Sequence, residues 1–113
     1  MTTSYKELVQ ERTKTLGKMH KEMPEFMKAF GAFSHAANAD GALDKKMKEL
    51  ITLALAISNH CQGCIGFHVQ GALKNGATRA EILDTITMAV YMGGGPSLMY
   101  AAEAVDALDE MGA

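Results

Sequence analysis

Two cysteines and a histidine lie close together in the segment NHCQGCIGFH, residues 59–68. Cys61, Cys64 and His68 are spaced i, i+3 and i+7, so that on a helix they form one stripe. If the helix starts near Cys61, its free N–H groups and the positive end of its dipole favour a thiolate there. The segment therefore predicts thiol chemistry in which His68 takes up the thiol proton or stabilises the thiolate.

A neighbouring pair of thiols can carry out a two-step redox reaction. One thiolate attacks an oxidant and becomes a sulfenic acid, and the second thiol condenses with it to form a disulfide. The spacing alone does not decide which cysteine attacks first. His68 favours Cys64, because a base at i+4 is closer than one at i+7.

Other interpretations of the pair remain open. The cysteines could be two small buried residues that never react, or two ligands of a zinc ion completed by His68 and a carboxylate. The common zinc patterns need a second pair of ligands downstream, and none follows His68. A purely structural disulfide is disfavoured, because the loop is very small and such staples are uncommon in a reducing cytosol.

One carboxylate, Glu49, shares a helix face with Thr52, Leu53 and Ala56. If that face is buried, Glu49 is a candidate proton shuttle. Periodicity alone favours the simpler interpretation, in which a glutamate near a helix start faces solvent or complements the dipole.

The elements that position these residues are predicted to be helices. Proline occurs only at positions 24 and 96, and no segment alternates with period two. The third helix is apolar on nearly all sides after its first turn, so we expect it to be central. We predict six helices: 4–19, one from Pro24, 44–57, 61–74, one opened by the capping box Thr78-x-x-Glu81, and one from Pro96 after the break GGG at 93–95.

Composition limits the class of protein. The 113 residues suffice for one domain, and 11 Lys+Arg against 13 Asp+Glu leave no basic surface for nucleic acid. The polar start and the short apolar segments predict neither a signal peptide nor a membrane span, so we expect a cytoplasmic protein. The 48% of hydrophobic residues is high for this size and suggests buried surface between subunits.

Together, these residues form the pattern E-x11-C-x2-C-x3-H from Glu49 to His68. The pattern resembles the signature of alkylhydroperoxidase D (AhpD)-like proteins in the carboxymuconolactone decarboxylase family. The segments GATRAEI and GGGP extend the resemblance from about Asp44 to Ala104, more than half of the chain.

The resemblance implies a single all-α, AhpD-like domain of about six helices over residues 1–113, assembled into trimers or hexamers. It implies an antioxidant oxidoreductase that reduces a hydroperoxide, with Cys64 as the peroxidatic and Cys61 as the resolving cysteine. Glu49 and His68 would form the proton relay. No cofactor or metal is expected, and a dithiol or lipoyl-type protein would reduce the disulfide.

The sequence departs from this pattern at one position. Those relatives carry a relay histidine just before the second cysteine, where this chain has Gly63. The relay is therefore expected to be shorter or to use water. The decarboxylase branch of the family acts without a cysteine pair, so CxxC argues against lactone decarboxylation. The alternatives are a non-peroxidatic dithiol or zinc-binding module, or a lactone decarboxylase-like enzyme on the same scaffold.

Overall fold

The computed structural model describes residues 4–112, and this part of the chain is all-α, as the sequence predicts. No strand occurs within it. None of its helices is both long and apolar enough to cross a membrane. The helices are α1 (Tyr5–Glu22), α2 (Pro24–Asn38), α3 (Lys45–Ser58), α4 (Gln62–Lys74) and α5 (Arg79–Met111).

The helix starts follow the capping residues in the sequence. The predicted capping box is confirmed: the Thr78 hydroxyl accepts the Glu81 N–H at 3.1 Å, and a Glu81 carboxylate oxygen accepts the Thr78 N–H at 2.9 Å. Pro24 is the first residue of α2, where its missing N–H costs no hydrogen bond. Asp44 is the N-cap residue of α3 and accepts the Met47 N–H at 2.9 Å, so the helix begins one residue later than predicted.

The core lies between α3, α4 and α5, with α1 packed against α4 and α5. Six of its larger apolar side chains are almost fully buried, and each contributes about 1.5–3 kcal/mol by leaving water. They are Leu53, Ile57, Ile65, Val69, Ile82 and Leu108. The central position predicted for α3 is confirmed. One face of α3 is nevertheless open, with Ile51 42% and Leu55 55% exposed, because no other element among residues 4–112 covers it.

The prediction of about six helices agrees with the structure, because α5 consists of two helical segments that meet at a kink. The predicted break at GGG is present as this kink, at Gly94, whose φ of 70° and ψ of −154° are non-helical. A glycine reaches this conformation freely, whereas a residue with a Cβ is strained there. Pro96 then opens the second half of α5 directly after the kink.

Helix α2 is only loosely integrated into the fold. Met27 is its single buried residue, while Phe26, Phe30 and Phe33 are 60%, 54% and 70% exposed. The Lys48 ammonium of α3 holds the carboxyl end of α2 by donating to the carbonyls of Ala37 and Ala39, at 3.0 and 2.6 Å. The apolar stripe of α2 thus faces outward from this chain.

Candidate functional site

The two cysteines lie at the start of α4, as predicted. Cys61 is the N-cap residue, and the Cys64 N–H donates to the Cys61 sulfur at 3.2 Å. The two sulfur atoms are bonded to each other in a disulfide. Cys64 also packs against the hydrophobic core. The pair therefore combines one sulfur at the helix end with one at the edge of the core.

Helices α3 and α4 bring Glu49 and His68 together. Glu49 Oε2 lies 2.8 Å from His68 Nδ1, and the two side chains are only 12% and 28% exposed. This burial decides between the two interpretations of Glu49: its carboxylate faces the histidine rather than solvent. Because His68 stands one turn after Cys64, a carboxylate–imidazole pair lies next to the cysteines in the helical stripe.

A glycine that the sequence reasoning missed makes room for this pair. A Cβ placed on Gly71 would lie 2.4 Å from Glu49 Oε2 and 2.8 Å from the carboxyl carbon. Real Cβ atoms do not approach other atoms so closely, so only glycine leaves space for the carboxylate at this position. The signal in the sequence is its spacing: Gly71 stands three residues after His68 on the same helical face.

A groove between α2 and α3 reaches His68. It has a volume of about 480 Å³. Aromatic and aliphatic side chains provide much of its wall, and the cation of Lys48 is held at its margin by the end of α2. The lining residues are Phe30, Phe33, Ser34, Ala37, Asn38, Leu43, Lys48, Ile51, Thr52 and His68.

The second half of α5 contacts the other side of the cysteine segment. The Tyr100 ring stacks on the His60 ring, with centroids 4.6 Å apart and planes 5° apart. The Gln62 side-chain amide donates to Glu103 Oε1 at 2.9 Å, and the Tyr5 hydroxyl donates to the same oxygen at 2.5 Å. Burial, together with the Glu103 hydrogen bond, raises the pKa of Tyr5. Sequence reasoning missed Glu103 and Tyr5 because they are distant in the chain from the cysteines.

Two further observations bear on the predicted chemistry. A Cβ on Gly63, the position between Gln62 and Cys64, would meet nothing within 4 Å, so the backbone there leaves space for a Cβ. Within residues 4–112, no three His, Cys, Asp or Glu side chains converge as they would around a metal ion.

The chain is similar to proteins of known sequence and structure over most of its length. Residues 24–107 match the model of the carboxymuconolactone decarboxylase family. A crystal structure of a carboxymuconolactone decarboxylase family protein from Legionella pneumophila matches with a TM-score of 0.94 and 55% identity, over 96% of this chain and 97% of that one. A family protein from Thermotoga maritima, for which a role in the antioxidative response has been suggested, matches with a TM-score of 0.83 and 27% identity. That match covers 91% of this chain and 88% of the other.

Two curated relatives differ in how much of the chain they share. An uncharacterised protein of Cupriavidus necator is 37% identical over 113 residues, the whole of both chains. Nitrosuccinic acid decarboxylase npaB of Metarhizium robertsii is 37% identical over 59 residues, which are 52% of this chain and 41% of that protein.

Proposed function

Because the chain belongs to the carboxymuconolactone decarboxylase family and holds a CxxC pair near a partly buried carboxylate–imidazole pair, we propose that it is a thiol-dependent peroxidase. The observation that carries this proposal is the 2.8 Å contact of Glu49 with His68, one helical turn from Cys64. An oriented base at that place can activate a thiol.

The first step converts Cys64 to a sulfenic acid. The Cys64 proton passes to the Glu49–His68 pair, and the thiolate attacks the terminal oxygen of a hydroperoxide. The S–O bond forms as the O–O bond breaks, so sulfur is oxidised and the peroxide is reduced. The departing alkoxide takes a proton from the pair and leaves as an alcohol.

The second step forms the disulfide. The Cys61 sulfur attacks the Cys64 sulfenic acid, the S–S bond forms, and the hydroxyl leaves with a proton as water. The Cys61–Cys64 disulfide of the structure corresponds to the product of this step. A dithiol, such as a lipoyl-type protein, then returns two electrons and two protons to the pair. This requirement for a reductant fits a cytoplasmic location.

The groove beside His68 supports an organic hydroperoxide as substrate. Phe30, Phe33, Leu43 and Ile51 give it apolar surface that would accept a hydrocarbon group. Hydrogen peroxide has no such group to bury, so the groove adds nothing to its binding. We therefore expect tert-butyl hydroperoxide to react faster than hydrogen peroxide.

The exposed apolar stripe of α2 supports assembly into trimers or hexamers. Phe26, Phe30 and Phe33 form an aromatic surface that stays largely exposed in the described part of the chain, and such surfaces mark interaction sites. Light scattering of the purified protein measures the assembly directly. Phe26→Ser is expected to shift it towards monomers. A monodisperse wild-type monomer would contradict this part of the proposal.

Stopped-flow mixing of the fully reduced protein with tert-butyl hydroperoxide tests the chemistry. Wild type should lose two thiols per chain for each equivalent of peroxide. Cys61→Ser should consume one equivalent and accumulate a sulfenic acid, and Cys64→Ser should not react. If reduced wild type keeps its thiols, or if Cys64→Ser matches it, the peroxidase assignment is wrong.

A decarboxylase is the second candidate, favoured by the partial match to nitrosuccinic acid decarboxylase. In that case Cys61 and Cys64 would be incidental to the reaction. Release of carbon dioxide from nitrosuccinate, undiminished in the Cys61→Ser, Cys64→Ser double variant, would support it. Stoichiometric zinc in protein purified without chelator would instead support a zinc-binding module.

A further inference from the structure

The second half of α5 contacts both residues that flank Cys61. Tyr100 stacks on His60, which precedes Cys61, and Glu103 accepts a hydrogen bond from Gln62, which follows it. Tyr100 and Glu103 stand at i and i+3, so one face of α5 makes both contacts. His60 has a φ of 54°, a left-handed conformation that is uncommon for a residue with a Cβ. The backbone that leads into Cys61 is therefore held on both sides.

Glu103 is itself fixed from the interior of the protein. The Tyr5 side chain is 2% exposed, and its hydroxyl donates to the carboxylate oxygen that also binds Gln62. Burial, together with the hydrogen bond to Glu103, raises the pKa of Tyr5 above its ordinary value, so the phenol stays protonated and donating well above neutral pH. Glu110 anchors the start of α1 by accepting the Tyr5 N–H at 2.9 Å. The position of the Glu103 carboxylate that binds Gln62 is therefore fixed by Tyr5 and the start of α1.

We propose that Glu103 is a positioning residue for Cys61: it holds Gln62 so that the Cys61 thiol stays within reach of Cys64 when the disulfide is open. This inference rests on the proposed function, in which that pair opens and closes. In the disulfide form, the covalent bond itself limits the position of Cys61. In the dithiol form only noncovalent contacts limit the position of Cys61. Loss of these contacts lowers the effective concentration of the Cys61 thiol at Cys64.

The contact should act on closure of the pair and not on attack by Cys64. Without the Gln62–Glu103 contact, the dithiol form gains conformational freedom around Cys61, whereas the disulfide form does not. The equilibrium between the two forms therefore shifts away from the disulfide. The same freedom slows attack of Cys61 on a Cys64 sulfenic acid. Loss of order in one residue's backbone corresponds to about a 5- to 30-fold change in either quantity.

Equilibration with dithiothreitol tests this inference without any peroxide. Oxidised dithiothreitol takes two electrons and two protons from the two protein thiols. Its own S–S bond breaks as the Cys61–Cys64 bond forms. The ratio of protein disulfide to dithiol, measured by mass after alkylation, gives the equilibrium constant.

Four variants separate positioning from general damage to the fold. Gln62 is exposed, so Gln62→Ala removes the contact without opening the core, and Gln70→Ala changes an exposed glutamine of the same helix outside this network. Glu103→Ala removes the acceptor. Glu103→Gln keeps an oxygen that can accept from both Tyr5 and Gln62.

We expect Gln62→Ala and Glu103→Ala to lower the equilibrium constant by the same factor of about 5 to 30, with no further fall in the double variant. Glu103→Gln and Gln70→Ala should stay within about twofold of wild type, a change too small to count as loss of order. A wild-type equilibrium constant for Gln62→Ala overturns the inference. A loss in Glu103→Ala that Glu103→Gln does not restore also overturns it.

The equilibrium constants measured with dithiothreitol do not depend on the peroxidase assignment. If wild type is inert to tert-butyl hydroperoxide but the equilibrium constants follow the expected pattern, the proposed function fails and the positioning role stands. If wild type reacts, Gln62→Ala should slow the conversion of sulfenic acid to disulfide. It should leave the first loss of thiol unchanged. Slowing of the first step alone would contradict the role given to Glu103.

Discussion

Replacing Gly71 by alanine should separate catalysis from stability. The added Cβ would lie 2.4 Å from Glu49 Oε2, whereas ordinary contact begins near 3.4 Å. The carboxylate must therefore move by about 1 Å, unless α4 moves instead. A carboxylate shift of that size away from His68 breaks the 2.8 Å hydrogen bond between Glu49 and His68.

The expected change in stability is small because two effects oppose each other. Losing a hydrogen bond to a charged group costs about 1.5–3 kcal/mol. Alanine in place of a helical glycine returns about 1 kcal/mol. The free energy of unfolding should therefore fall by about 0.5–2 kcal/mol, measured by urea denaturation with circular dichroism.

The expected change in rate is much larger. A catalytic group displaced by about 1 Å can lower a rate on the order of 10²-fold. We expect Gly71→Ala to slow the first loss of thiol by that factor when reduced protein is mixed with tert-butyl hydroperoxide. Gly17→Ala is the matched control, because a Cβ on that helical glycine of α1 meets nothing within 4 Å. It should be slightly more stable than wild type and equally fast.

A double variant shows whether Gly71 acts through Glu49. Glu49→Gln should slow the first step by itself, and adding Gly71→Ala should slow it no further. The reasoning is refuted if Gly71→Ala reacts at the wild-type rate, or if its effect multiplies with that of Glu49→Gln.

Three other changes test separate features. Gly94→Ala should lower the free energy of unfolding by about 1–3 kcal/mol, because a Cβ is strained at that φ. Gly95→Ala, with open space and no positive φ, should be neutral or stabilising in the same urea titration. A Cβ at Gly63 meets nothing within 4 Å, and Gly63→His should raise the rate of the first step on the order of 10²-fold by adding a third relay group, whereas Gly63→Ala should leave that rate unchanged. Glu110 accepts hydrogen bonds from backbone N–H groups and a hydroxyl at the start of α1, and these lower its pKa. Its contribution to stability is therefore complete above about pH 4.3, the ordinary pKa of a glutamate. That contribution is lost as the pH falls through the lower pKa of the folded state. Glu110→Gln should therefore flatten the fall in Tm between about pH 5 and 3, and an unchanged pH profile would contradict this role.

Local chemistry made most of the fold predictable. The capping box at Thr78, the first-turn proline at 24 and the cysteines at the start of α4 all depend on residues within one turn of each other. The resemblance to the carboxymuconolactone decarboxylase family is confirmed over residues 24–107. The predicted break between the fifth and sixth helices is confirmed as the kink at Gly94, but the sequence does not fix the angle of that kink, because it depends on tertiary packing.

The site was predictable only along α4. The stripe from Cys61 to His68 follows from helical period, but the burial of Glu49 depends on α3 packing against α4. Gly71 carries no chemistry of its own, so its importance appears only when the carboxylate is seen beside it. The reach of Glu103 to Gln62 spans 41 residues of sequence, and no local rule connects them.

The two carboxylates act on α4 from roughly opposite faces, which argues for a division between proton transfer and geometry. His68 and Gly71 lie on the face of α4 that meets Glu49 of α3. Gln62 lies roughly 120–180° around the helix axis from them and contacts Glu103 of α5. The kink at Gly94 separates the half of α5 that carries Glu103 from the half that begins at the capping box. A change on the α3 side should therefore alter the rate of the first step, and a change on the α5 side should alter closure of the disulfide. Cys61 and Cys64 lie at the start of α4, which the α3 side contacts through His68 and the α5 side contacts through Gln62.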